Sequence, residues 1–128
     1  MRHRQEFVIG GWTEPGGSRK HFGALLVGVY EDGEFRYAGS VGTGFDAKRL
    51  GAIAEKLGPL ERKTPPFVHA PKTDTTAHWV APKLVADVSF AEWTRDGLMR
   101  HPVFVGLRED KDPKDVVRER ALQPSGVA

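Results

Sequence analysis

Cysteine is absent from the 128-residue sequence. That excludes a disulfide framework, a thiolate zinc site and a cysteine nucleophile, and it fits a cytosolic protein. Long apolar runs are also missing. The longest, from Ala24 to Tyr30, is interrupted by Gly28 and falls far short of the roughly 20 residues that a bilayer-spanning helix needs. No membrane partner is therefore expected. The first residues, Met1-Arg2-His3-Arg4-Gln5-Glu6, carry charge with no apolar segment behind it, so they do not read as a secretion signal. The five histidines (His3, His21, His69, His78 and His101) form no i, i+4 pair, and no carboxylate stands at metal-binding spacing from them. No metal site is expected. There is no Gly-x-Ser-x-Gly elbow of a serine hydrolase and no Gly-Lys-Ser/Thr phosphate loop. A large excess of one charge is missing as well: the net charge is +2 and the pI about 9.0.

What remains has the size and composition of one ordinary domain. Apolar residues make up 39% and charged residues 28%, enough for a single core and a charged surface. The charge is unevenly spread. Between Gly44 and Lys83 stand Lys48, Arg49, Lys56, Arg62, Lys63, Lys72 and Lys83, opposed by Asp46, Glu55, Glu61 and Asp74. Such a stretch is either a solvated helix face with its loop or a surface facing phosphates.

Along the chain, Glu6 to Trp12 reads as a short strand. The segment from Thr13 to Lys20, with Pro15, Gly16, Gly17 and Ser18, reads as a loop. Phe22 to Glu31 reads as a long strand apolar on both faces, as in a barrel with something packed outside it. Gly23 and Gly28 mark curvature or a bulge in it. Asp32-Gly33 is a hairpin turn signal, and Phe35 to Val41 follows as a third strand. Asp46 is a good N-cap for a helix in which Leu50, Ile53, Ala54 and Leu57 form one apolar stripe, ended by Gly58 and Pro59. Pro59 to Ala77 has no period and contains Pro59, Pro65, Pro66 and Pro71, so it is expected to be a long surface loop. Trp79-Val80 with Leu84 to Thr94 reads as strand four, whose alternation of Ala86, Val88 and Phe90 with Asp87 and Ser89 makes one face wet or polar-paired. Arg95-Asp96-Gly97 is a turn, and Leu98 to Leu107 is strand five with an edge or bulge at Pro102. Asp112-Pro113 opens a short charged C-terminal helix expected to run to about Leu122.

The fold class expected is mainly β: a five-stranded OB-fold barrel, with a helix between strands three and four and a short C-terminal helix. The domain is expected over residues 5–111, and the C-terminal helix and tail over 112–128.

Three stretches narrow the reading. The first is Gln5-Glu6-Phe7-Val8-Ile9-Gly10-Gly11-Trp12, followed by Gly17-Ser18-Arg19 and by Phe22 to Gly28. The second is Tyr37-Ala38-Gly39-Ser40-Val41-Gly42-Thr43-Gly44-Phe45. The third is Trp93-Thr94 with Arg100-His101-Pro102-Val103-Phe104-Val105-Gly106-Leu107-Arg108-Glu109-Asp110-Lys111. In this order and spacing they resemble the C-terminal OB domain of bacterial ATP-dependent DNA ligases, the ligase-D group of non-homologous end joining. The resemblance covers Gln5 to about Lys111.

The resemblance implies a role for Arg108, Asp110 and Lys111. They match the family's last nucleotidyltransferase motif, Arg-x-Asp-Lys, which acts while the enzyme adenylates its own lysine. The OB domain closes over ATP held by an upstream adenylation domain, and the basic side chains meet the β- and γ-phosphates. Elementary chemistry agrees: nucleotidyl transfer needs positioned positive charge on the departing oxygens, and arginine supplies a fork where lysine supplies a point charge. Aspartate could hold one of the cations or touch the nucleotide. Taken without the resemblance, the same residues are simply the charged end of a strand.

The family's Lys-x-Asp-Gly motif, whose lysine becomes adenylated, is missing. The nearest approach is Thr94-Arg95-Asp96-Gly97. This chain alone is therefore expected to be inactive, and Met1 to be an engineered start or the start of an unusual fragment. ATP and Mg2+ are implied as cofactors of the parent enzyme. Its implied partners are nicked or broken duplex DNA, the upstream adenylation domain and the end-binding Ku protein, in a bacterial cytoplasm at the nucleoid. Arg19, Lys20, Arg36, Lys48 and Lys72 are the candidate DNA contacts. The corner Gly39 to Gly44 is either a further backbone contact or a tight strand-to-helix turn. Trp12, Phe35, Tyr37 and Trp93 are either base-stacking platforms or core. Two rivals stay open: a stand-alone OB module that binds nucleic acid without a catalytic role, and a related RNA ligase or capping enzyme.

Overall fold

The computed structural model describes residues 2–17 and 19–118. Nine strands and one helix follow in the order β1 (His3–Thr13), β2 (Leu25–Glu31), β3 (Glu34–Val41), α1 (Ala47–Leu57), β4 (Glu61–Arg62), β5 (Ala77–Val80), β6 (Val85–Phe90), β7 (Glu92–Trp93), β8 (Met99–Arg100) and β9 (Val103–Arg108).

The sheet is organised around β1. One edge of β1 carries β2 antiparallel. Along the other edge lie β6, against residues 3–8, and β5, against residues 11–13. β3 pairs β2, and β9 pairs β6. The single fourth strand expected from sequence is thus two short strands laid end to end. They are separated where Pro82, lacking an N–H, cannot continue a ladder. The backbone there is satisfied differently: the Ala81 N–H donates to the Leu60 carbonyl and the Ile9 N–H to the Leu84 carbonyl. Strand five is likewise divided. β7 and β8 form a separate hairpin around Arg95-Asp96-Gly97, and the ladder resumes as β9 only after His101-Pro102.

Register shifts at Ile9/Gly11, Val27/Gly28 and Asp87/Val88 coil the sheet toward closure. The two ends meet at the corner after β3. There the Phe104 N–H donates to the Thr43 carbonyl at 2.9 Å, and the Thr43 hydroxyl donates to the Pro102 carbonyl at 3.2 Å. Gly44 has φ +97, and a Cβ on it would lie 2.3 Å from the Phe104 carbonyl oxygen. Glycine at this corner is therefore a packing requirement. The result is a five-stranded, partly open barrel with a helix inserted between its third and fourth strands, the OB arrangement.

The local signals resolve as the sequence suggests. Asp32 and Gly33 both have positive φ, 53° and 79°, the signature of a type I′ hairpin. Asp46 caps α1 by accepting from the Arg49 N–H at 2.8 Å. Leu50, Ile53 and Leu57 are buried, while Lys48, Arg49, Glu55 and Lys56 face solvent.

Two segments differ from expectation. The proline-rich loop is exposed for most of its length but is pinned by Phe67, which is buried. The Phe67 ring stacks on Phe35 with centroids 4.7 Å apart, in a hollow that glycine creates. A Cβ at Gly10 or Gly28 would lie within 2.9 Å of that ring. The C-terminal helix, in its described part, is a single 3-10 turn over Pro113–Asp115, with Asp112 as cap. The chain then straightens: buried Val116 accepts from the Tyr30 N–H at 2.8 Å, and Arg118 pairs with Glu31 at 3.1 Å. The rest of that expectation, residues 119–122, lies outside the described residues. Among the described residues, no helix is long and apolar enough to cross a membrane.

Candidate functional site

Three strands bring the motif residues to one place. Arg108 is the last residue of β9, opposite Val85 of β6. In the next pair of strands, Asp87 of β6 stands opposite Glu6 of β1. Arg4 and Glu6 share a face of β1 because side chains alternate along a strand. Two carboxylates facing each other across strands, with Cβ atoms about 5 Å apart, repel unless cations intervene. The cations are present. Arg4 donates through Nε and Nη2 to Oδ2 of buried Asp87, at 3.0 and 2.7 Å. Arg108 donates through Nη1 to Glu6 Oε2 at 2.7 Å. Lys111 Nζ lies 3.5 Å from the other Glu6 oxygen.

The remaining edge of Arg108 faces Asp110. Nε reaches Oδ1 at 3.1 Å and Nη2 reaches Oδ2 at 3.2 Å, a fork-to-fork pair. Glu109, between them in sequence, reaches Lys56 of α1 at 3.4 Å. The bond from Arg108 holds the Asp110 carboxyl below the usual carboxylate range, helped by a backbone bond at Asp110 itself and by the charges of Arg108 and Lys111. The same bond from Asp110 leads the causes that raise Arg108, with the Glu6 and Asp87 charges adding to it. Arg4 is raised by its bond to Asp87.

The two carboxylates on Arg108 differ in setting. Glu6 is held in the sheet with 18% of its side chain exposed, whereas Asp110 is 73% exposed. An oxyanion arriving from solvent could replace Asp110 on the Nε–Nη2 edge while Glu6 keeps its grip on Nη1. Arg108 and Lys111 thus share one tip with a mostly buried acidic partner, Glu6, and an exposed one, Asp110.

The five candidate DNA contacts do not converge. Arg19 donates to the Gly42 carbonyl at 2.8 Å and sits over the Phe45 ring at 5.4 Å, so it fastens the loop before β2 to the corner after β3. Exposed Lys20 lines a depression with Arg19, Asp46 and Ala47, and exposed Lys48 follows on α1. Arg36 pairs with Glu34 at 2.6 Å and lines a separate open groove with Tyr37, His69, Trp93, Arg95 and Arg118. Lys72 is exposed in the proline-rich loop. Of the aromatics, Phe35 is core and Trp12 stacks on His78 at 4.1 Å. Trp93 packs on Phe90 at 4.8 Å and lies under the Arg118 guanidinium at 4.4 Å. Among the described residues no group of three or more His, Cys, Asp or Glu could hold a metal ion.

Residues 18–111 match the family model described as the ATP dependent DNA ligase C terminal region. The chain belongs to that family. Among curated relatives, it is 48% identical over 126 residues to the multifunctional non-homologous end joining protein LigD of Pseudomonas aeruginosa, covering 94% of this chain and 15% of that protein. It is 43% identical over 118 residues to the LigD DNA repair protein of Mycobacterium tuberculosis, covering 90% of this chain and 16% of that protein. The chain therefore spans less than a fifth of these relatives.

Among solved structures, the ligase domain from M. tuberculosis LigD superposes with a TM-score of 0.85 at 39% identity, covering 92% of this chain and 39% of that one. Mycobacterial DNA ligase D complexed with ATP and MES superposes with a TM-score of 0.79 at 41% identity, covering 91% and 38%. The ligase C-terminal region described here thus has the fold expected from its sequence. The family match starts after β1, although β1 joins β2 on one edge to β5 and β6 on the other.

The sequence groups Arg108, Asp110 and Lys111 by motif but does not point to Glu6, Asp87 and Arg4, which the fold brings beside them. One signal was available: the lone Asp87 among apolar neighbours in strand four. Its partner on β1 could not be named without the register.

Proposed function

We propose that this chain is the OB part of an ATP-dependent DNA ligase that acts twice. It first completes the ATP site during lysine adenylation through Arg108, Asp110 and Lys111. It then turns away and presents basic residues to a nick or broken end in duplex DNA. The observation that carries this reading is the cationic tip: two basic side chains gathered by one carboxylate, Glu6, at 2.7 and 3.5 Å, on the residues that match the family's Arg-x-Asp-Lys motif.

Charge developing on a departing pyrophosphate is stabilised by donors already in position. Arg108 supplies a fork for two phosphate oxygens and Lys111 a point charge. These residues fit the phosphates of ATP. They do not fit Mg2+: Glu6, Asp87 and Asp110 are each engaged by arginine or lysine, so no step is assigned to a metal here. The adenylated lysine belongs to the upstream domain. In the second act Lys20, Lys48 and Lys72 are the leading DNA-backbone contacts. Arg19 and Arg36 would contribute after leaving their internal partners. The relatives are named for non-homologous end joining, which supports broken DNA at the bacterial nucleoid as the setting. Ku remains a candidate partner of the parent enzyme, with no residue of this chain assigned to it.

The test uses the parent enzyme with its adenylation domain. Arg108→Ala and Lys111→Ala are compared with wild type for lysine adenylation from labelled ATP, and separately for sealing of a pre-adenylated nick. Loss of adenylation with sealing largely kept supports the reading. Unchanged adenylation leaves this chain a nucleic-acid clamp only.

A further inference from the structure

We infer that Glu6 is a positioning residue for the adenylation step: it anchors Arg108 and Lys111 from the sheet so that the solvent-facing edge of Arg108 is presented to the phosphates of ATP. This rests on the role proposed above for Arg108.

The geometry divides the guanidinium into two working edges. Nη1 points inward to Glu6 Oε2 at 2.7 Å, and Nε and Nη2 point outward to Asp110. The outer edge suits a phosphate, because Nε and Nη2 present two parallel donors there, away from Glu6. If the inner anchor were missing, Arg108 would turn freely about its long side chain. Each bond to phosphate would then have to restrict that motion first. Glu6 is suited to anchoring because it is fixed in turn. It lies within β1 opposite Asp87, and Asp87 is buried and held by Arg4. Arg4 therefore stabilises the carboxylate beside Glu6 and leaves Glu6 to Arg108 and Lys111. Of the two acidic partners, Glu6 stays and Asp110 exchanges. Asp110 keeps the outer edge occupied until phosphate arrives, and the replacement exchanges hydrogen bonds without making or breaking a covalent bond.

Glu6 lies outside the Arg-x-Asp-Lys motif and touches neither ATP nor the lysine. It acts only through the two cations. That indirectness defines the test. In the parent enzyme, single-turnover adenylation is followed for Glu6→Ala, Glu6→Gln, Arg108→Ala and the double variant Glu6→Ala/Arg108→Ala, across ATP concentrations. Sealing of a pre-adenylated nick and thermal melting are measured alongside.

Glu6→Ala is expected to slow adenylation about tenfold, with the loss in kcat more than in KM. Glu6→Gln, which keeps an acceptor for Nη1 without the charge, recovers part of that loss. On top of Arg108→Ala, removing Glu6 costs about twofold or less, the non-additivity of groups that act as one. Sealing of the pre-adenylated nick stays within about twofold of wild type. If the Glu6→Ala effect is as large without Arg108 as with it, Glu6 does not act through Arg108 and the inference is overturned; if sealing and melting temperature fall in parallel, Glu6 is a fold-supporting residue and it is likewise overturned. If Arg108→Ala slows adenylation but Glu6→Ala does not, Glu6 alone is dismissed and the proposed function stands. If Arg108→Ala has no effect, the proposed function falls and the Glu6 role falls with it.

Discussion

The two cationic regions of this molecule are built on opposite plans. At the end of β9 the charges are tied: Arg108, Lys111 and Arg4 each meet a carboxylate within 3.5 Å, and the carboxylates are set by strand register. Around α1 and the proline-rich loop the lysines Lys48 and Lys72 stand exposed on the surface. Fixed charge suits a single geometry that must be in place when negative charge develops. Loose charge suits a polyanion, where lysines displace counterions and the gain depends on how many phosphates are neutralised. Under the proposed function, one small barrel would carry both a site for a defined leaving group and a surface for a polymer.

The largest expected effect tests what holds the loose region in shape. Phe67 is the buried anchor of the proline-rich loop, and Phe67→Ala is expected to destabilise the domain by about 3–5 kcal/mol, read from urea unfolding. A loss under about 1 kcal/mol would mean that the loop is not anchored there, because a buried phenylalanine removed from a tight hollow costs more than that. Next in size, Arg108→Ala in the parent enzyme is expected to slow adenylation by about 100-fold, as for removal of one preorganised donor. Its melting temperature should change little, since Arg108 is half-exposed. A collapse in melting temperature would show that the tip is structural.

A smaller effect sharpens the contrast from the other side. Replacing Lys20, Lys48 and Lys72 together by alanine is expected to flatten the dependence of nicked-DNA binding on salt, lowering the log–log slope by about 2–3, with adenylation intact. An unchanged slope would place the DNA surface elsewhere, and the Arg36 groove would be the next to probe.

The smallest effect is a titration. The carboxyl of Asp110 is held low by Arg108, so its contribution is fully present above the ordinary aspartate pKa. It fades as pH falls through the lowered folded value. NMR of the Asp110 carboxyl should show a midpoint below that of an unstructured aspartate, rising toward it in Arg108→Ala. Because Asp110 is exposed, the gain in overall stability should be slight.

Much of this plan was legible in the chain because its signals are local. Asp32-Gly33 specifies a turn through the only backbone conformation such a pair favours. Asp46 with Leu50, Ile53 and Leu57 specifies a helix through a cap and one apolar stripe. The tip could be read from Arg108-Glu109-Asp110-Lys111 by its likeness to a family motif. What was illegible depends on partners distant in sequence. Strand four reads as one element in the sequence, and its division at Pro82 into two pieces aligned along β1 shows only in the register. Phe67 looked like loop because its hollow is made by two glycines on other strands. In its described part, the helix expected after Asp112 is one 3-10 turn, because Val116 and Arg118 are drawn against β2, where tertiary contacts outweigh local preference. Glu6 was quoted as one letter in a run of resemblance. Its value appears only when β1, β6 and β9 are in register.

The position of β1 bears on how this module can be excised. A piece cut to the span recognised as the family region, 18–111, would omit the strand on which both halves of the sheet are hung. β2 and β6 would then present bare edges, which invite pairing with other chains. Such a piece is expected to aggregate on expression, and inactivity in it would say nothing about Arg108. A useful fragment should therefore include β1 from His3.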